Sequence, residues 1–511
     1  MKKILKFLLS RFFISLILIA IQIYIIFKIF NYSIENPLIA QFFIFISFGV
    51  SLWVLFNKHE PEYALSWIMI IMLAPVYGAI FYLIFGKKNL NYVGRKRAEK
   101  YVNVYSKYSS RFPHTMKDRS LALKHIDKDF YCMSEYIARS SYSPVWAHTI
   151  ADYYPLGDDF FPAFKKELRK AKKFIFLEYF TIGKGEMWDG ILEILKAKQQ
   201  QGVEIRILYD DFGSLGRVDG SYDKMLRGMG FKAKAFNPVK PHVNVRMNYR
   251  DHRKICVIDG NIGFTGGINL ADEYINRSVR FGQWKDSAVL IKGDGVWNLT
   301  TCFLSMWALS TGENDTLKQY RPTLTSVSND GFVQPYSDNP LDDVALAENA
   351  YTQVINRATE YVWITTPYLV LDHEITSALC LAAQSGVDVR IMLPGIPDKH
   401  IVYEVSKSNY KELILNGVQI YEYVPGFLHS KMFVSDDKVS IIGTINMDYR
   451  SFYLHFECGV AFYGSSVIKK VKLDMEDIIM QSNQITEADV RNVSLIRRAC
   501  RGLLKILSPL M

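Results

Sequence analysis

A histidine and a lysine two residues apart occur twice in this 511-residue chain, each pair followed by an aspartate five residues after the lysine. The first copy reads His252-Arg253-Lys254-Ile255-Cys256-Val257-Ile258-Asp259, then Gly266, Gly267 and Asn269. The second reads His429-Ser430-Lys431-Met432-Phe433-Val434-Ser435-Asp436, then Gly443, Thr444 and Asn446. His, Lys, Asp, Gly and Asn recur at one offset, 177 residues, so the segment carries no insertion between copies. The apolar run after each lysine predicts a strand, in which residues two apart share a face. An imidazole beside an ammonium makes a poor core pair, and the two call for an anion to share. A phosphoryl group fits, because lysine acts on phosphate as a point charge and a neutral imidazole can attack phosphorus. Two copies brought together would supply one histidine as nucleophile and the other as general acid for the leaving alkoxide. A single H-x-K is short enough to be two structural residues. The paired copies with matching Asp, Gly and Asn favour the catalytic reading. No Cys/His/carboxylate cluster has ligand spacing and no two of the six cysteines form C-x-x-C, so neither metal nor cofactor is expected.

The elements around these motifs are also duplicated. Residues 174–178 predict a buried strand, 188–201 a helix stopped by Gly202, and 203–209 a second strand. The same order returns as a strand at 361–365, a helix at 374–385 stopped by Gly386, and a strand at 387–393. Strand, helix, strand with short links is a βαβ unit and implies a parallel pair. The copies are offset by 187 residues (Ala171 to Ala358) and 184 (Gly202 to Gly386), which makes the fold α/β with two duplicated halves around one composite site.

Three apolar runs open the chain, at 12–30, 38–56 and 65–85. Each is about as long as the ~20 residues that cross a bilayer, and the first is too long and lacks the cleavage site for a signal peptide. Pro75 and Gly78 make the third a candidate for a broken helix, leaving two or three spans. Charge follows the same division. The net charge is +10, and residues 1–111 alone carry 14 Lys/Arg against 4 Asp/Glu. The body from 112 to 490 is −5, and 491–511 carries five basic residues and no acid. A nucleic-acid binder places its basic excess on the folded domain. Here it flanks apolar segments, which favours an anionic membrane surface and argues against nucleic acid. The basic flank at 87–111 places the large domain in the cytoplasm of a multi-pass cell-membrane protein. The expected division is a membrane region at 1–88, a basic juxtamembrane linker at 89–130, and a first half at 131–325 with its motif at 246–273. A second half follows at 326–490 with its motif at 423–450, then a basic amphipathic tail at 491–511. The tail reads either as a helix lying on a membrane or as one packed on the domain.

The doubled H-x-K-x-x-x-x-D with trailing Gly and Asn resembles the phospholipase D superfamily, and the wider match is to bacterial cardiolipin synthases. It is carried by Leu177-Glu-Tyr-Phe180, Gly202-Val-Glu-Ile-Arg206, Leu208-Tyr-Asp210, Trp284-Lys-Asp286, Thr366-Pro-Tyr368 and Ile391-Met-Leu-Pro-Gly395. It continues through Tyr421-Glu-Tyr-Val-Pro-Gly-Phe-Leu-His429, Gly443-Thr-Ile-Asn-Met-Asp-Tyr-Arg-Ser-Phe452 and the ending Leu507-Ser-Pro-Leu510, so it runs from about residue 60 to the end. The resemblance implies two phospholipase D-like halves and a metal-free, two-step transfer of a phosphatidyl group. One phosphatidylglycerol gives its phosphatidyl group to a histidine and releases glycerol, and the hydroxyl of a second attacks the phosphohistidine to give cardiolipin. A phospholipase D or a phosphatidyltransferase using water or another alcohol is the alternative. By resemblance His252 is the nucleophile and His429 the general acid and base, with Lys254 and Lys431 on the phosphoryl oxygens and Asn269 and Asn446 as added donors. Asp259 and Asp436 complete the motif and either touch substrate or brace strand ends. Asp286 and Glu457 are read either as acceptors for the histidines' second ring nitrogens or as surface acids. Glu178, in an apolar strand, is either paired with a basic residue or lines the pocket.

Overall fold

The computed structural model describes residues 36–56, 61–74, 127–239 and 248–510 apart from positions 314, 325, 326 and 343, with isolated positions before 126. Most of the apolar run 12–30 and most of the linker 89–130 lie outside the described residues. The first half contributes β1 (Thr149–Tyr154), β2 (Phe174–Tyr179), β3 (Glu204–Asp210), β4 (Lys232–Phe236), β5 (Arg250–Asp251), β6 (Lys254–Ile258), β7 (Ile262–Gly266), β8 (Gln283–Lys285) and β9 (Ala288–Gly293). The second contributes β10 (Phe332–Asp338), β11 (Tyr361–Thr365), β12 (Asp388–Pro394), β13 (Gln419–Tyr423), β14 (Gly426–Leu428), β15 (Met432–Ser435), β16 (Val439–Gly443), β17 (His455–Tyr463) and β18 (Ser482–Ile485).

One sheet runs β1-β9-β7-β6-β2-β3-β4, the other β10-β17-β16-β15-β11-β12-β13-β18. The expected βαβ units form parallel pairs, β2 with β3 and β11 with β12, and each motif strand joins its unit antiparallel. The sheets face each other over one core, where Phe176, Val257 and Val289 meet Trp363, Val434 and Val460. The helix Val296–Thr311 lies in this core and carries no charged residue, as a helix buried on nearly every side requires. Separate clusters of helices cover the two outer faces.

The helix Lys128–Ser141, at the start of the expected first half, packs instead into the second. Phe130, Met133 and Ile137 share a core with Val362 and Ile391. Sequence distance did not predict this, because the helix follows its apolar stripe across to the other sheet.

Of the N-terminal runs, 38–56 lies in the helix Pro37–Phe56. The run 65–85 starts in the helix Pro61–Leu73, which ends two residues before Pro75, where proline disfavours helical backbone in the residue before it. Among the described residues no helix is long and apolar enough to cross a membrane. Pro61–Leu73 has only 13 residues. The outer side of that helix is apolar and bare, with Phe45 and Phe56 among its most exposed residues. The C-terminal helix Leu495–Leu507 reaches this hairpin, where Ser66 Oγ donates to Ile506 O at 2.6 Å. Its Arg497 and Arg501 pair with Glu404, while Leu495, Ile496, Leu503 and Ile506 stay exposed. The tail thus packs on the domain through Arg497, Arg501 and Leu504 and leaves Leu495, Ile496, Leu503 and Ile506 open.

Candidate active site

Two short parallel ribbons tie the halves together, and each ends on a histidine. β5 pairs with the start of β17 in the register Arg250 with His455 and Asp251 with Phe456. The next residue on each side is His252 and Glu457. β14 pairs with β8 in the register Phe427 with Trp284 and Leu428 with Lys285, so the next residues are His429 and Asp286. His252 N donates to Phe456 O at 2.9 Å and His429 N to Lys285 O at 2.7 Å, extending both ribbons by one step. Gly426 permits the second ribbon, since a Cβ there would stand 2.2 Å from Gln283 O.

The strands predicted to carry His and Lys together begin only at Lys254 and Met432. The chain changes sheets between His and Lys, so each histidine ends a ribbon shared with the other half. The lysines still return to them. Lys254 Nζ donates to His252 O at 2.5 Å, and Lys431 Nζ donates to His429 O.

Each imidazole is held by a carboxylate from the opposite half. His252 Nδ1 stands 2.9 Å from Glu457 Oε1, and His429 Nδ1 stands 2.5 Å from Asp286 Oδ2. A carboxylate accepting from Nδ1–H leaves Nε2 as the free lone pair. Burial lowers the His252 pKa to about 3, against the pull of Glu457, and Lys254 adds to the lowering. Burial, then Lys431, Lys254 and Lys399, hold His429 well below its ordinary value. Both imidazoles are therefore neutral at rest, as a nucleophile must be. Burial lowers Lys254 to about 8 and Lys431 to about 7, while Glu457 and Asp286 pull both upward. Burial raises Asp286 to about 6, with Lys431 opposing. On Glu457 burial acts upward, but His252 and His455 outweigh it and hold it ionised. Lys254 acts electrostatically on both acids and on His429, so the two motif copies form one site.

The other motif residues divide. Asp259 does not reach the site. Its carboxylate accepts from the backbone N–H groups of Lys172, Lys173 and Phe174 at 2.7–2.9 Å, at the far end of β6 from Lys254. Asp436 repeats this on Thr359, Glu360 and Tyr361. Both sit in the left-handed region, φ 53° and 52°, that ends each strand in a turn. The catalytic reading of these two is replaced by a bracing one. Asn269 accepts from Thr181 N at 3.0 Å and donates to Tyr274 Oη at 2.7 Å, so it holds a loop. Asn446 is buried, and its side-chain oxygen has no partner among the described residues. Glu178 does not line the site either. It is fully buried, 2.9 Å from Arg253 Nε, which is the paired alternative.

Three features escaped the sequence reading. A Cβ at Gly267 would stand 2.0 Å from Asp286 Oδ1, so that glycine makes room for the carboxylate. At the matching position Thr444 donates its hydroxyl to Glu457 Oε2. His455, two residues before Glu457, brings a third imidazole to 5.5 Å from His252 between ring centroids. The only sequence signal for it was a histidine at the start of a strand leading to an acid.

Two H-x-K halves facing across one site, each completed by the other's carboxylate, define a phospholipase D-like protein. The family described as "Cardiolipin synthase, PLD-like domain" matches residues 164–298 and 351–479, and "Phospholipase_D-nuclease N-terminal" matches 45–87. The cardiolipin synthase of Halalkalibacterium halodurans is 35% identical over 460 residues, 89% of this chain and 90% of that one. An uncharacterized protein of Streptococcus mutans is 39% identical over 467 residues, 91% of this chain and 100% of that one. The phosphatidylserine synthase structure from Haemophilus influenzae shares the fold, with a TM-score of 0.56 at 15% identity, covering 74% of this chain and 97% of that one. This chain belongs to the cardiolipin synthase family of the phospholipase D superfamily.

Proposed function

We propose that the chain is a cardiolipin synthase that moves a phosphatidyl group from one phosphatidylglycerol to another. The observation that carries this reading is the pair of buried imidazoles, each fixed through Nδ1 by a carboxylate of the other half and flanked by a lysine. In the first step His252 Nε2 attacks phosphorus, the bond to the glycerol oxygen breaks, and His429 gives that oxygen a proton. In the second, His429 takes the proton from the hydroxyl of a second phosphatidylglycerol, whose oxygen attacks phosphorus and releases His252. Lys254 and Lys431 hold the phosphoryl oxygens, with Asn446 as an added donor.

The resting site holds His429 neutral, yet step one needs its proton. A bound phosphodiester monoanion offsets Lys431 and Lys254, two of the charges that hold His429 down. The imidazolium then forms with substrate in place, and Asp286 stabilises it. Both histidines are almost wholly buried, which favours a lipid hydroxyl over bulk water as acceptor.

The protein is a multi-pass cell-membrane protein with its catalytic halves in the cytoplasm. The chargeless helix Pro37–Phe56 and the apolar side of Leu495–Leu507 support this, both presenting bare apolar residues on the hairpin side of the molecule. Phosphatidylglycerol and anionic lipid are the partners, and the negative body disfavours nucleic acid.

The test is product analysis on membranes with added phosphatidylglycerol. Cardiolipin and glycerol are expected, with turnover persisting in EDTA. Phosphatidic acid as the main product would point to the hydrolytic alternative.

A further inference from the structure

We propose that His252, His455 and Glu457 form a binding site for a divalent cation of the zinc type, and that its occupancy switches the enzyme off. The inference rests on the active-site reading above, and it names a regulator of that site.

One ligand atom from each of the three residues lies within 4.8 Å of the others. Glu457 Oε1 stands 2.9 Å from His252 Nδ1 and 3.8 Å from His455 Nδ1. Donors about 2.1 Å from a tetrahedral zinc ion stand about 3.4 Å apart, which lies between those two edges. The 3.8 Å separation is too long for a hydrogen bond, and among the described residues His455 Nδ1 is a buried nitrogen with no hydrogen-bond partner. A buried polar atom left unpaired costs stability, and a metal ion would satisfy it. Two imidazoles and one carboxylate with a fourth position open suit zinc by ligand type. Around the cluster Glu457 and Asp448 are the anions, and Lys254 and Arg450 the cations. The imidazole of His455 keeps 12% of its side-chain surface open.

The consequence follows from proton balance. The ion takes the Nδ1 lone pair of His252, so the proton that Nδ1 donated to Glu457 must leave that nitrogen. The neutral ring then carries its proton on Nε2, and no lone pair remains to attack phosphorus. Zinc therefore inhibits by imposing the wrong tautomer, while the reaction itself uses no metal.

The experiment uses the full chain, metal-stripped and in detergent, with His455→Asn and His455→Gln as variants. Zinc binding is measured directly by competition with a chromophoric chelator, and turnover of phosphatidylglycerol separately. Wild type is expected to bind one zinc ion that depends on His455, with affinity falling at least roughly tenfold in both variants. Wild-type turnover is expected to stop with zinc and return with EDTA. The variants, each compared with its own metal-free turnover and melting temperature, are expected to keep that turnover when zinc is added. Equal zinc affinity in wild type and both variants would overturn the site. Binding that depends on His455 but leaves turnover unchanged would overturn the inhibition. If phosphatidylglycerol is not turned over at all, the functional reading fails while the binding result still stands or falls by itself.

Discussion

Replacing Glu457 with glutamine keeps the volume and removes the charge facing His252. When Nε2 attacks phosphorus, the ring becomes cationic, and the carboxylate 2.9 Å from Nδ1 stabilises that cation. At an effective dielectric of about 20, unit charges at this separation attract by about 6 kcal/mol. At ~1.4 kcal/mol per decade this corresponds to a loss of roughly 10^4 in kcat. A second effect acts in the same direction. The amide can donate to Nδ1 and so place the ring proton on Nε2, the wrong tautomer for attack. The assay is cardiolipin formation from phosphatidylglycerol in mixed micelles, with the melting temperature as a control for folding. Thr444 loses part of its hydrogen bond in the variant, so a modest drop in stability is also expected. A folded Glu457→Gln enzyme within tenfold of wild type would refute the claim that the opposite half's carboxylate drives the nucleophile.

Asp259→Ala and Asp436→Ala are expected to lower stability by about 2–4 kcal/mol each, because each carboxylate holds three backbone N–H groups. The folded fraction should keep its kcat, and a large kcat loss with an unchanged melting temperature would restore a catalytic role. Lys431, lowered to about 7, loses its charge as pH rises through that value, so KM for phosphatidylglycerol should climb between pH 7 and 9. Stability should move the opposite way: the unfolded chain keeps this proton up to the ordinary value of 10.5, so unfolding takes up a proton in that window and stability rises with pH. A flat KM profile would count against Lys431 as the anion clamp. His429→Ala, given a phosphatidyl ester of a nitrophenol, should accumulate a phosphatidyl adduct on His252, since the good leaving group needs no acid and the second step lacks its base. Peptide mapping that finds the adduct on His429 in His252→Ala, and none on His252 here, would reverse the two roles.

The sequence by itself determined the residue types that do chemistry, their duplication and the βαβ units around them. These are local properties: strand and helix periods span a few residues, and a motif at a fixed offset needs no contact to be seen. Tertiary structure alone decided which acid serves which histidine. Glu457 lies 205 residues from His252, and Asp286 lies 143 from His429. Each pair meets because a two- or three-residue parallel ribbon joins opposite halves in one register. Such ribbons are too short to announce themselves by pattern. The same nonlocal pairing took the histidines out of the strands predicted for them, left Asp259 and Asp436 at the far ends of those strands, and set His455 beside His252.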